Sequence, residues 1–328
     1  MTDKIINQRN LNNNSYKEKK LRPDDEKSND GSSGELEVLS FSSIKSLENV
    51  ESSAYKGVKY IVSSNVRFFC RIIRSLSCLS PTFFFIPMKD QLLICTHNTL
   101  TSSFSKIIFK KQFFVRINAS CLVKKDSGCC ISSEVAKSIF NVPIEVLEDI
   151  KHLIINIDPF ADFINITFIG PDRVYESIKV NQMIITNPIN DYPSYHSGSA
   201  FCIVSHFDLW KNLFRNSYIS SEIIVYMKRE LLIIELRMQN TGVILNFNIE
   251  INVKNLIWYN ITQEFVISFS HNEFIKAYSI ISKFTKTFVL EYVDGEVPLR
   301  MSVHQPTIVD FEIFLPCSIE LNNNRYMM

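Results

Sequence analysis

Residues 58–109 read VKYIVSSNVRFFCRIIRSLSCLSPTFFFIPMKDQLLICTHNTLTSSFSKIIF, and the hydrophobic pattern changes period twice along them. Lys59–Ser63 is short and β-branched, as strands are. Asn65–Leu79 gathers Phe69, Ile72, Ile73 and Leu76 on one side of a helix turning about 100° per residue. Thr82–Met88, Leu92–Asn98 and Phe104–Phe109 are again short aromatic and β-branched runs, the mark of strands. The order is strand, amphipathic helix, three strands.

That order recurs down the chain. A second unit starts near Phe113–Val123, with a short helix about Ser132–Phe140 and strands at Leu153–Asp158, Asn165–Gly170 and Val174–Val180. A third has strand Phe201–Val204, helix His206–Ser217, and strands Glu222–Lys228, Leu231–Met238 and Gly242–Ile249. A fourth has Glu264–Phe269, helix His271–Thr285, and strands Phe288–Tyr292, Leu299–Val303 and Val309–Leu315. Ser205-x-x-Asp208 and Ser270-x-x-Glu273 read as capping boxes at two helix starts. The turn-rich stretch NPINDYPSYHSGS, 187–199, reads as a connector between pairs of units. The expected fold is α+β, with two domains, 56–186 and 200–321, each a pair of βαβββ units. A short tail, 322–328, follows.

Residues 1–55 differ from this body. NLNNNSYKEKK and RPDDEKSNDGSSGE are polar and poor in aromatics, which predicts a disordered tail, because too little apolar surface is available to offset the entropy of ordering. The tail holds 8 Lys/Arg against 10 Asp/Glu, leaving 27 against 24 for the rest. Lys17, Lys19, Lys20 and Arg22 read as a solvated charge run before they read as a nuclear-import signal. The whole chain, 328 residues at net charge +1, has no apolar run near the roughly 18 residues of a membrane helix and no signal-peptide core, so it is read as soluble, intracellular and without a membrane partner.

Several chemistries lack their motifs. Of eight glycines, two lie in the tail, and neither GxGxxG nor GxxxxGK[ST] can be written, so the usual nucleotide-phosphate loops are missing. The eight cysteines form no CxxC and no Cys/His spacing; reduced structural thiols are expected, with Cys129-Cys130 in a polar loop. Histidines 97, 152, 196, 206, 271 and 304 are scattered, with no HExxH or GxSxG. His152, Asp158 and Asp162 fall along a strand and its turn and are not expected to converge on a metal. No catalytic residue, cofactor or metal is assigned, and the chain is not read as an enzyme.

The helices carry the functional signal. On the first, Arg67, Arg71 and Arg74 lie within about 60° of one another, opposite the apolar face. Lys211 and Arg215 are i,i+4 on the third-unit helix, Lys276 and Lys283 align on the fourth, and the short second helix offers Lys137. One such stripe is an ordinary solvated face. Its recurrence on every helix of a nearly neutral protein implies segregated charge suited to a polyanion, with contacts to phosphates that carry no base-reading geometry.

Paired βαβββ units with basic helices inside and sheets outside resemble the PCNA-like sliding clamps. The chain is most similar to the tail-bearing subunit of the nine-one-one DNA-damage checkpoint clamp, across roughly residues 58–320. VKYIVSSNVRFFCRIIRSLSCL resembles that subunit's first strand and DNA-facing helix. FFFIPMKDQLLICTHNTLTSSFSKIIFKKQFF resembles its next strands. HNEFIKAYSIISKFTKTFVLEYVDGEVPLRMSVHQPTIVDFEIFLP resembles its last helix and hairpins, with Asp294-Gly295 before Val297-Pro298-Leu299. The resemblance implies a nuclear heterotrimeric ring with two other clamp-like subunits around double-stranded DNA, placed by a clamp loader. It also implies repair or checkpoint proteins docking near 187–199, and Arg67, Arg71, Arg74, Lys137, Lys211, Arg215, Lys276 and Lys283 facing DNA. Two features depart from the family. Asp90-Gln91 stands where Asp-Gly is usual, so that turn must differ or strain Gln91. The long phosphorylated C-terminal tail has no counterpart after NNNRYMM, which leaves its recruitment role open to the serine-rich N-terminal tail, at Ser28, Ser32 and Ser33. Two other readings stay open: a replicative homotrimeric processivity clamp, against which the long tail and near-zero charge argue, and a β-rich adaptor that never touches DNA.

Overall fold

A computed structural model describes residues 57–321 apart from 99, 120–127, 159, 161, 184–198, 216–220, 241–242, 293–297 and 304–307; at 212–215, 238–240, 243–246 and 319–321 it describes the backbone only. The tail 1–55, nearly all of the connector 187–199, residues 322–328 and Asp294-Gly295 lie outside the described residues.

All four expected units are present. The first is β1 (Val58–Val62), α1 (Val66–Leu76), β2 (Thr82–Pro87), β3 (Gln91–Asn98) and β4 (Ser103–Lys110), followed by β5 (Arg116–Asn118). The second is β6 (Cys129–Ser132), α2 (Ser133–Phe140), α3 (Ile144–Asp149), β7 (His152–Ile157), β8 (Phe163–Ile169) and β9 (Val174–Asn181). The third is β10 (Phe201–His206), α4 (Phe207–Arg215), β11 (Glu222–Met227), β12 (Leu231–Asn240) and β13 (Val243–Asn252), followed by β14 (Trp258–Ile261). The fourth is β15 (Phe265–Ser270), α5 (His271–Ile281), β16 (Thr287–Tyr292), β17 (Leu299–Val303), β18 (Val309–Leu315) and β19 (Cys317–Leu321).

The sheets repeat with the sequence. Order β5-β1-β7-β8-β9 in the first half returns as β14-β10-β16-β17-β18 in the second, and β4-β3-β2-β6 returns as β13-β12-β11-β15, extended by β19. One junction joins the halves: β18 pairs antiparallel with β4, from Val309↔Phe109 to Phe314↔Phe104, fusing two blocks into a nine-stranded sheet. Phe104 stacks on Phe314 with centroids 4.3 Å apart, and Lys110 meets Asp310 at 3.0 Å. The counterparts of β18 and β4, namely β9 and β13, each end a sheet.

Helices and sheets enclose one apolar core in which Phe69, Trp210 and Phe274 are fully buried. The expected apolar side of α1 is borne out, since Phe69, Ile72, Ile73 and Leu76 are all buried.

The differences from expectation have physical causes. Helix α1 ends at Leu76, not Leu79: Cys78 and Leu79 donate to Ser75 and Leu76, tightening the last turn before Pro81. The strand expected to open the second unit over Phe113–Val123 starts only at Arg116, as β5, because Lys111–Phe113 coils into a 3-10 turn that seats Phe113 against Phe109 and Phe69. Residues 120–123 lie outside the described residues, and β6 leads into the second-unit helix instead. Cys129-Cys130 is not loop but β6, paired with β2 and buried. Ser205 lies within β10 instead of opening a capping box, and its hydroxyl accepts from the Trp210 indole N–H at 2.9 Å. Ser270 does cap α5, accepting from the Glu273 N–H. The Asp90-Gln91 turn closes through a Met88 N–H to Gln91 carbonyl bond, and the one non-glycine residue of positive φ among those described is Ser102.

Gly57 is required where the chain enters β1: a Cβ there would meet the Ile157 carbonyl oxygen at 2.4 Å. Gly57→Ala is expected to cost about 1–3 kcal/mol, read as a lower urea midpoint at unchanged m-value.

Burial also fixes thiol reactivity. It pushes Cys70 and Cys129 up to about 12 and Cys130 up to about 11, whereas Cys78 is exposed. Alkylation of the folded chain at neutral pH should modify Cys78 well before Cys70, Cys95, Cys129 or Cys130, as mass spectrometry of the timed reaction would show.

Candidate nucleic-acid interface

The four longer helices stand side by side on one face of the sheets, in the order α2, α1, α5, α4. Phe69 of α1 meets Phe140 of α2 at 5.6 Å. Phe68 of α1 stands edge-on to Phe284, just beyond α5, at 5.3 Å, and Lys283 Nζ donates to Ser75 Oγ at 3.4 Å. Tyr278 of α5 donates its hydroxyl to the Phe207 carbonyl of α4 at 2.7 Å, and burial pushes that phenol up to about 12. Each helix turns its apolar side to the sheets because the hydrophobic residues recur at helical spacing. The polar sides are thereby left on the opposite face.

The cations expected on that face are placed unequally. Arg67 and Arg71 of α1 are exposed, as are Lys137 of α2 and Lys211 of α4, while Arg74 is half-buried. Arg67 pairs with Glu148 at 3.0 Å, both side chains more than half exposed. Arg71 lies over the Phe284 ring, 5.6 Å from its centroid, an arrangement that steadies a guanidinium without neutralising it. Arg74 donates to Asn141 Oδ1 at 3.2 Å, tying α1 to the end of α2. Lys276 is directed inward to Glu273, 2.9 Å away; that carboxylate is buried and also accepts from Ser103 Oγ at 2.9 Å. Lys283 lies in the turn after α5, which ends at Ile281, and is exposed. Arg215 is in α4, where only its backbone is described. Arg71 and Lys283 flank the α1–α5 contact, while Arg67 and Arg74 lie toward α3 and the end of α2.

Sequence reading missed the groups that modulate these charges. Helix α3 puts Glu145, Glu148 and Asp149 in six residues, too short a run to show periodicity. Helical spacing extends the fourth-unit helix to Thr285, whereas Phe284 lies in the turn that wedges α5 against α1. Surface pairs such as Arg67–Glu148 are weak, about 0–1 kcal/mol, so Glu148 tempers Arg67 without locking it.

No protein-family model and no curated protein matches the sequence. Among solved structures the chain is similar to the crystal structure of the PCNA2–PCNA3 complex from Sulfolobus tokodaii, with TM-score 0.58 and 14% identity over 79% of this chain and 98% of that one. With mostly antiparallel sheets, few helices and the paired units above, the chain has the two-domain PCNA-like clamp fold.

Proposed function

We propose that this chain is a non-catalytic subunit of a heterotrimeric sliding clamp that encircles duplex DNA in the nucleus and serves DNA-damage checkpoint signalling and repair by docking partners. The observation that carries the reading is a row of four helices with cations on or just beyond them, on sheets in which β9 and β13 are edge strands among the described residues, each the counterpart of one side of the β4–β18 junction. A head-to-tail contact of that kind closes into a ring when the rotation allows, and an unpaired edge is otherwise an aggregation liability. Enclosure compensates for few phosphate contacts. Arg67, Arg71, Arg74, Lys137, Lys211, Arg215 and Lys283 supply these contacts, and Lys276 joins them when it leaves Glu273. The similar solved structure is itself a complex of two different PCNA chains, the arrangement proposed here. The checkpoint assignment rests on the resemblance to the tail-bearing nine-one-one subunit, as do the clamp loader and the docking of partners near 187–199. The domain limits 56–186 and 200–321 are part of the same reading.

The test is topological. Complex loaded on nicked circular DNA should resist a salt wash and leave when the circle is cut once. Retention on the linear product would mean ordinary side-on binding.

A further inference from the structure

The β4–β18 junction is a template for what the edge of β9, unpaired among the described residues, accepts. On its helix side Phe311 of β18 faces Ile107 of β4, and both are buried. Phe284 sits over them, 6.1 Å from Phe311 and 5.3 Å from Phe68 of α1. The junction is thus a strand ladder plugged by aromatic side chains between neighbouring helices.

At the other edge the matching places are filled differently. Counting along the paired ladders, Phe168 of β8 corresponds to Val303 of β17, so Glu176 of β9 holds the position of Phe311. Beside it, where Phe284 lies in the fourth unit, there is an open groove of about 260 Å³ lined by Val142, Pro143, Val146, Phe168, Tyr175 and Glu176. Ser138 and Asn141 also line it, and Glu176 is its one carboxylate. Among the described residues Glu176 makes no ion pair, and it is exposed.

We infer that the β9 edge is built for a different chain and not for a second copy. That partner brings an antiparallel strand with a Lys or Arg facing Glu176, and a helix with an aromatic or long aliphatic side chain that enters the groove. The inference rests on the ring reading above and adds its selectivity. The observation against a second copy lies in β13. By the same ladder counting Ile249 of β13 matches Ile107 of β4, and Phe247 matches Ser105. Pairing β9 with another copy's β13 in the junction register therefore sets Ile178 against Phe247, which is favourable. It also sets Glu176 against Ile249 on the side where the junction is dry. A carboxylate closed in against an isoleucine loses water, and Phe247, Ile249 and Ile251 on that side of β13 offer it no cation, so the strand pairing itself is disfavoured. The charge thus works against self-pairing while remaining available to a cationic partner, a division of labour common at specific interfaces.

The test uses the full chain, purified alone, in sedimentation equilibrium. The wild-type chain should stay monomeric, whereas Glu176→Leu should self-associate at least about tenfold more tightly. With Ile178→Cys and Phe247→Cys added, that variant should form a disulfide between copies. Glu176→Gln, which keeps the shape and removes the charge, should move the same way by less, and circular dichroism checks that each variant is folded. Self-association of the wild-type chain through β9 and β13 would overturn the inference while leaving a ring intact. Monomeric Glu176→Leu and Glu176→Gln variants would overturn it as well. A native complex from its own cells without any clamp-like subunit would defeat the ring reading itself, which separates the two failures.

Discussion

Reversing the charge of Arg67, Arg71 and Arg74 together should abolish retention of the assembled complex on DNA at physiological salt. Each phosphate contact removed lowers the slope of log K against log salt by about 0.9, and three reversals should weaken binding by about 100-fold or more. The single variants should not be equal. Arg71 is exposed and supported from below by Phe284, so Arg71→Glu should have the largest effect. Arg67→Glu should matter less, because Glu148 already offsets part of its charge. The same geometry predicts a gain: Glu148→Gln should strengthen DNA binding and steepen its salt dependence. Arg74→Glu should also lower stability, because it removes the bond to Asn141 between α1 and α2. Fluorescence anisotropy on a labelled duplex across a salt series reads these outcomes, and equal affinity for the triple variant would remove the helices from the interface.

Trp210→Ala should be the most damaging single change to the fold, at about 3–5 kcal/mol. The indole is fully buried, 5.4 Å from Phe288 and 5.9 Å from Phe274, and its N–H satisfies Ser205 Oγ. Truncation leaves a cavity beneath α4 and removes the indole donor from Ser205 Oγ, which keeps only its bond to the His206 carbonyl. Trp210→Phe should recover most of the packing but not the hydrogen bond, which is worth about 1 kcal/mol. The second of the two tryptophans, Trp258, is 59% exposed. Loss of Trp210 should therefore remove the blue-shifted component of the emission and leave the solvated one. A thermal melt of Trp210→Ala within a degree or two of wild type would contradict this account of the core.

The repeat was legible because each unit shows its periodicity over strands and helices long enough to carry it. The apolar side of α1 and the exposure of Arg67 and Arg71 follow from residue spacing alone. The elements that escaped notice are short or are defined by their neighbours. Strands β5, β14 and β19 are edge or terminal additions of three to five residues, and their pairing depends on β1, β10 and β15, not on their own pattern. Strand β6 reads as loop because the polar run KKDSG, 124–128, before it outweighs CCIS, yet β2 has a side that it fills. The candidate interface was legible as a set of cations and not as a field. Glu273 draws Lys276 inward because Ser103 comes from β4, 170 positions earlier in the chain. Glu148 reaches Arg67 from a helix too short to announce itself. Such pairings arise only when distant segments fold against each other.

The central claim is that this chain is one of three different subunits of a ring. Native mass determination of the complex purified through the tagged full chain from its own cells tests it most directly. The account predicts this chain with two other clamp-like subunits, one copy of each. A homotrimer of this chain would contradict the heteromeric assignment, and a monomer with unrelated partners would contradict the ring.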